Sequence, residues 1–73
     1  MKRLIRQKQT LVFAAKEGGW THEMRNAQEF PNLTAITSDV RYAPRETELY
    51  YAFGEYGVTE YDFSLSLDTS TRV

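Results

Sequence analysis

Two alternating stretches in the C-terminal third of this 73-residue chain constrain its fold more than any other feature. Residues 46–53 and 58–67 alternate apolar with polar or acidic side chains, and only the tetrapeptide Gly54–Gly57 separates them. Because successive side chains of a strand point to opposite faces, this pattern predicts a β-hairpin with one apolar and one acidic face. The residues expected on the buried, apolar face are Leu49, Tyr51, Phe53, Tyr61, Phe63, Leu65 and Leu67.

The opposite face of the hairpin is expected to gather carboxylates around tyrosines. Like charges on one sheet face cost stability, which indicates that they serve contact with a partner. Tyrosine is amphipathic and loses little side-chain entropy when it is fixed at an interface. The predicted protein-binding residues are Glu46, Glu48, Tyr50, Glu55, Tyr56, Glu60 and Asp62. Tyr50 and Tyr56 can equally be partly buried structural residues.

Size and composition restrict the chain to one small folded domain spanning residues 1–73. Its hydrophobic fraction of 41% and aromatic fraction of 14% exceed those of disordered segments. The chain has no cysteine, which excludes disulfides and thiolate chemistry and favours a reducing, cytoplasmic location. No apolar run is long enough for an export signal or a membrane span, so no membrane partner is expected. We expect residues 69–73 to fray.

The N-terminal region fits two kinds of element. Residues 10–15 are rich enough in β-branched and aromatic side chains to favour a strand, with a tight turn at Gly18 and Gly19. Apolar residues between Met1 and Ala15 also follow a helical stripe that Gly18 would end. We favour the strand, although the spacing of apolar residues permits both.

The middle of the chain predicts one main helix. Asn32 is a good N-cap, and apolar residues at offsets of three and four favour a helix from Leu33 to about Tyr42. Residues 34–42 also fit the two-residue period of a strand, in which case the main helix would be residues 21–29. In either case the expected fold is a small α+β domain with a three- to four-stranded antiparallel sheet and one helix packed on one face.

The segment before this helix is expected to contain two short elements. Thr21 can cap a helical turn that reaches Ala27, and Glu23 lies near the positive end of that turn. Residues 28–30 are then expected to pair as an edge strand.

Three short sequences resemble a pattern of small phage and mobile-element proteins. They are Gly18-Gly-Trp-Thr21, Ala27-x-x-Phe30 and Leu33-x-Ala35, and they cover about a quarter of the chain. The resemblance implies a ββα unit, in which a strand with a Gly-Trp turn and a second short strand ending in Phe precede a helix. It assigns no functional residue.

Catalytic and metal-binding patterns are incomplete. His22-Glu23 matches the start of a zinc-protease helix, but Asn26 occupies the position of the second histidine. Pairs of acids such as Glu46 and Glu48 share a strand face, yet catalysis also requires a concave site that perturbs one pKa. We therefore expect neither enzyme activity nor a metal or other cofactor.

Charge is distributed unevenly along the chain. The net charge is −1, but residues 1–16 contain five basic residues and no acidic one. These basic residues can pair with the acidic sheet of the same molecule, or they can bind phosphates. The candidate nucleic-acid contacts are Lys2, Arg3, Arg6 and Lys8.

The leading functional hypothesis is a non-enzymatic protein-binding module from a phage or mobile element. Its acidic, tyrosine-bearing face would occlude a basic surface on a larger host protein, as anti-CRISPR proteins block nucleic-acid complexes. Exposed strand edges would also permit a homodimer. The alternative hypothesis is a small nucleic-acid-binding regulator that uses the basic N-terminal segment.

Overall fold

One antiparallel sheet of five strands organises the domain. The structure is a computed structural model that describes residues 1–67, so the fraying expected at 69–73 lies outside the described residues. The elements in chain order are β1 (Lys2–Gln7), β2 (Phe13–Ala14), β3 (Trp20–Thr21), a 3₁₀ helix (Met24–Asn26), α1 (Leu33–Ser38), β4 (Thr47–Ala52) and β5 (Phe63–Leu65). The strand order is β3-β2-β1-β4-β5. The predicted α+β class is confirmed, and the sheet has five strands instead of three or four.

Strand β1 lies at the centre of the sheet and precedes residues 10–15, where the N-terminal strand was expected. It pairs with β4 along its whole length, from Lys2 opposite Ala52 to Gln7 opposite Thr47. Leu4 and Ile5 are adjacent, point to opposite faces and are both fully buried. The strand expected at residues 10–15 is confined to β2, and the N-terminal helix alternative is wrong.

Strands β1, β2 and β4 are covered on both faces, so the domain has two clusters of buried residues. One cluster consists of Leu4, Phe13, Met24, Ala27, Tyr50 and Ala52. The other consists of Ile5, Ala14, Phe30, Ile36 and Leu49. Helix α1 contributes to the second cluster through Ile36, and the 3₁₀ helix contributes to the first through Met24. The prediction of one helix on one face is therefore correct, while the other face is closed by the 3₁₀ segment.

Helix α1 begins where its sequence predicts and ends earlier. The Asn32 side chain accepts a hydrogen bond from the Ala35 amide at 2.9 Å, which confirms the N-cap. The helix ends at Ser38, because Asp39 is extended and its carboxylate accepts from the Arg41 amide at 2.9 Å. The strand alternative for residues 34–42 is wrong. Among the described residues, no helix is long and apolar enough to cross a membrane.

The segment between β3 and α1 differs from the expectation in both of its elements. Thr21 lies in β3, where its hydroxyl accepts from the Glu23 amide at 3.0 Å, and it does not cap the helical turn. Glu23 occupies the N-cap position of the 3₁₀ helix without a side-chain bond. Residues 28–30 form no strand.

The predicted hairpin is present with a longer connection. Leu49 pairs with Leu65 and Tyr51 with Phe63, so these side chains share a face as expected. However, β5 is limited to three residues, and residues 53–62 form a folded loop instead of a tetrapeptide turn. The loop backbone is tightly packed at Gly54, where an added Cβ would lie 2.7 Å from the Gly57 carbonyl oxygen.

Arg41 ties the loop after α1 to the turn between β2 and β3. Its five N–H groups donate to five acceptors: both Asp39 carboxylate oxygens, the Gln28 side-chain oxygen and the carbonyls of Ala15 and Gly19. The Arg41 hydrogen bond holds the pKa of Asp39 below its usual value, against the opposing effect of burial. Arg41 is therefore a fully bonded structural residue, and no local sequence pattern signals its role.

Candidate functional site

The acidic hairpin face is partly buried, and Tyr50 is the clearest case. Its side chain is only 4% exposed. The ring packs edge-on against Phe13 with centroids 5.3 Å apart, and the Arg6 guanidinium lies 4.5 Å from the ring centre. Tyr50 is therefore a core residue, and the expectation that it is an exposed binding anchor is corrected. Tyr50 is on the predicted face, opposite Leu49 and Tyr51, but this face is covered by the 3₁₀ segment through Met24.

Glu48 lies on the same face and is neutralised within the molecule. Its Oε2 atom accepts a hydrogen bond from Arg6 Nε at 2.8 Å and lies 2.7 Å from Arg6 Nη2 in an ion pair. Both side chains are largely buried, so the pair is weakly screened by solvent. Neither Glu48 nor Arg6 is available as a free charge for a partner.

Asp62 organises the hairpin loop. Its carboxylate accepts from the Tyr50 hydroxyl at 2.7 Å, the Phe53 amide at 2.9 Å, and the amide and hydroxyl of Thr59 at 3.1 and 2.6 Å. Burial raises the pKa of Asp62, but these hydrogen bonds outweigh burial and lower the pKa to about 2. Burial and the same carboxylate raise the pKa of Tyr50 to about 12. Asp62 therefore stabilises the loop. Each of its carboxylate oxygens already accepts two hydrogen bonds from the same molecule, so neither is available to a partner.

The remaining predicted binding residues are exposed but divided between two places. Glu55, Tyr56 and Glu60 lie in the hairpin loop. Glu46 precedes β4 at the opposite end of that strand. The structure therefore brings together three of the seven predicted protein-binding residues as accessible groups.

Several apolar side chains of the hairpin are exposed, and of these Phe53, Tyr61, Phe63 and Leu65 were expected to be buried. Strand β5 is at the edge of the sheet, and Phe63 and Leu65 are each 50% exposed. Val58 and Tyr61 in the loop are 73% and 72% exposed. We define the hairpin surface as the exposed residues of the loop and the edge strand, namely Phe53, Glu55, Tyr56, Val58, Glu60, Tyr61, Phe63 and Leu65. Tyr56 and Val58 lie on the side of the sheet that carries Met24, whereas Phe63 lies on the side that carries Tyr51.

Aromatic contacts keep part of the hairpin surface rigid. Phe63 stacks on Tyr51 with ring centroids 4.7 Å apart and lies 6.2 Å from Phe53. Tyr56 is flanked by two cations, with Lys2 Nζ 5.4 Å and Arg25 Cζ 5.5 Å from its ring centre. Sequence periodicity placed the aromatic residues on the correct face but could not show that this face lacks a cover at β5.

The basic N-terminal residues do not all share one face, because Arg3 lies on the opposite face of β1 from Lys2 and Arg6. Lys2 donates to the Glu55 carbonyl and lies 4.0 Å from the Glu29 carboxylate. Arg3 donates to the Pro31 carbonyl at 3.1 Å.

The other two candidate nucleic-acid contacts are also engaged within the molecule. Arg6 pairs with Glu48, and Lys8 donates to the Pro44 carbonyl at 3.3 Å. The sequence left open whether the basic residues pair with acidic residues of the same molecule or bind phosphates. Arg6 does the first, since it pairs with Glu48.

Metal coordination has no evident location among residues 1–67, where no three His, Cys, Asp or Glu side chains are grouped to hold an ion. His22 and Glu23 line a shallow cavity of about 360 Å³ beside Tyr56.

The chain was compared with protein-family models, curated proteins and solved structures, and no significant match was found in any of the three.

Proposed function

We propose that this chain is a non-enzymatic protein-binding module that docks its hairpin surface onto a larger protein. The observation that carries the proposal is the concentration of exposed apolar side chains on and beside β5, led by Phe63, Leu65 and Tyr61. Contiguous exposed apolar groups rimmed by charge are typical of protein interaction sites. Rigid aromatic residues are also the side chains that most often dominate binding energy.

Charge indicates the kind of partner. Residues 46–67 contain no lysine or arginine, and Glu55 and Glu60 are exposed in the hairpin loop. The two cations near the loop, Lys2 and Arg25, both lie against the Tyr56 ring. Complementary potentials at an interface suppress wrong partners and speed association. The partner is therefore a protein with an apolar groove and a basic rim.

A basic rim is common on proteins that handle nucleic acids, because it neutralises phosphates. The module would occupy such a groove and exclude the nucleic acid. This supports the more specific proposal of an inhibitor of a host nucleic-acid-handling or defence complex, in keeping with the resemblance to phage and mobile-element proteins.

The test is a quantitative pull-down from host lysate after nuclease treatment, followed by mass spectrometry and measurement of affinity for the purified partner. Tyr61→Ser and Val58→Ser remove exposed apolar groups and should each weaken binding about tenfold or more if they lie at the interface centre. Glu60→Lys should weaken binding most at low salt, since it places a cation against a basic rim.

Two matched controls separate the hairpin surface from general surface effects. Val40→Ser removes a side chain that is 97% exposed and outside this surface, and Glu17→Lys reverses an exposed charge elsewhere. Both controls should bind as the original protein does. Equal affinity of Tyr61→Ser, Val58→Ser and Val40→Ser for the partner would overturn the proposed surface. A concentration-dependent dimer that Tyr61→Ser abolishes would show instead that the hairpin surface binds a second copy of this chain.

A further inference from the structure

A second surface feature lies at the other end of the β1–β4 pair from the hairpin loop. It is a cavity of about 400 Å³, and Gln7 and Thr47, the last pair of that ladder, contribute to its wall. Volumes of about 300 to 1,000 Å³ are usual for sites that bind small molecules. The side chains with chemistry to offer a ligand are Lys8, Gln9, Trp20, Arg45 and Glu46.

Backbone hydrogen bonds make one wall of the cavity rigid. The Lys8 amide donates to the Glu46 carbonyl at 2.9 Å, which extends the β1–β4 ladder by one pair. The buried Thr47 hydroxyl accepts from the Ala43 amide at 3.0 Å and donates to the Ala43 carbonyl at 2.8 Å. The turn that carries Arg45 is thus fixed at both of its ends.

Arg41 positions the aromatic residue of the cavity. Its Nη1 donates to the Gly19 carbonyl at 3.0 Å, immediately before Trp20. Gly18 and Gly19 have φ values of +98° and +72°, which L side chains rarely adopt, so this turn brings the chain sharply back. The indole therefore lines the cavity and remains 37% exposed.

Positive charge exceeds negative charge at the cavity. Among residues 1–67, Arg45 is exposed and makes no ion pair. Lys8 donates to the Pro44 carbonyl through one of its three ammonium N–H groups, so its charge and its other donors can still serve a ligand. Arg41 is already bonded to Asp39, and Glu46 is the one carboxylate in the lining. Two available cations therefore stand beside one accessible indole.

We infer that this cavity binds a nucleoside phosphate. The base stacks on Trp20, since every nucleobase has a planar face that suits an aromatic side chain. Lys8 and Arg45 bind the phosphate, Arg45 through paired N–H donors and Lys8 as a point charge. The same chemistry fits a free mononucleotide and the terminal nucleotide of a strand. The inference is independent of the hairpin surface, none of whose residues lines this cavity.

Trp20 is the only tryptophan, so its fluorescence reports directly on this cavity. Titration with AMP, excited at the red edge of the indole band, should give saturable quenching. Adenosine, which lacks the phosphate, and the variants Lys8→Gln and Arg45→Gln should each bind about tenfold more weakly, since each loses a charge-assisted hydrogen bond. Lys16→Gln removes an exposed lysine outside the cavity and should bind as the original protein does.

The affinity for a 5′-phosphorylated tetra-adenylate distinguishes the two possible ligands, a free mononucleotide and the end of a nucleic-acid strand. Tighter binding of the tetranucleotide than of AMP assigns the cavity to a nucleic-acid end, and equal binding assigns it to free nucleotide. Amide resonances of Lys8, Trp20 and Arg45 are followed by NMR in the same titrations. No shift of these resonances at about 10 mM AMP, well above a weak millimolar affinity, would overturn the inference, as would unchanged affinity in Arg45→Gln.

Discussion

At the residue scale, intramolecular contacts decide which charged groups remain available to a partner. Glu48 and Asp62 were predicted to face a partner, yet Arg6 neutralises the first and four hydrogen bonds occupy the second. Tyr50 joins them in one buried polar network. Such networks are stabilising only when every member is bonded, and this one is.

Asp62→Asn should lower the free energy of unfolding by about 1 to 2 kcal/mol at neutral pH. An amide keeps one oxygen acceptor, but its NH₂ group then faces the donating Thr59 amide. Thermal unfolding of this variant is compared with that of Glu60→Gln, which alters an exposed carboxyl in the same loop. Equal stability of the two variants would contradict the role of Asp62.

The same carboxylate makes stability depend on pH in a defined direction. Its pKa is about 2 in the folded protein, below the ordinary 3.8. Its contribution is therefore complete above about pH 5 and is lost as the pH falls towards 2. Denaturant titrations across this range should show a smaller loss of stability in Asp62→Asn, with the remaining slope arising partly from Asp39, whose pKa is also lowered.

At the scale of elements, the short strands and the one helix of this domain depend on specific end contacts. Helix α1 has six residues, too few to be stable alone, so its cap and its packing through Ile36 must hold it. Strand β5 has three residues and one pairing partner, β4. Part of the hairpin surface therefore lies on a short edge strand that is hydrogen-bonded on one side only.

Asn32→Ala should lower the free energy of unfolding by about 1 kcal/mol, because the Ala35 amide loses its acceptor. Asn32→Asp keeps a capping oxygen and should remain close to the original stability. Asn26→Ala serves as the control, since this exposed asparagine ends the 3₁₀ helix and is not a cap. Chemical denaturation measures all three, and a loss as large in Asn26→Ala would contradict the capping role.

At the scale of the whole molecule, one sheet joins two buried clusters through a single strand. Leu4 belongs to one cluster and Ile5 to the other, and both are fully buried. A domain of this size has little stability to divide between two separate units. The two faces are therefore expected to unfold together.

Leu4→Val and Ile5→Val each remove one methylene, one from each cluster, and each should lower the free energy of unfolding by about 1 kcal/mol. Far-ultraviolet circular dichroism and Trp20 fluorescence should report one coincident transition in both variants. Val40→Ala, at an exposed position, should leave the transition unchanged. Separate transitions for the two signals would show that the faces unfold independently.

Much of the local structure was predictable from neighbouring residues. The Asn32 cap, the hairpin pairing of β4 with β5 and the shared face of Tyr51 and Phe63 all follow from short-range patterns. The candidate site was predicted less well. Glu55, Tyr56 and Glu60 are exposed as expected, whereas Tyr50 is buried and Phe63 is half exposed. Alternation assigns a side chain to a face but does not reveal what covers that face.

By itself, the sequence determined the α+β class, the start of α1 and the alternation of the C-terminal hairpin, because each depends on side chains a few residues apart. Tertiary structure alone decided that β1 is the central strand, that Arg6 neutralises Glu48 and that Arg41 brings Trp20 to the cavity. These contacts join residues more than twenty positions apart. The free energy of burial and pairing selects them only when the whole chain is folded.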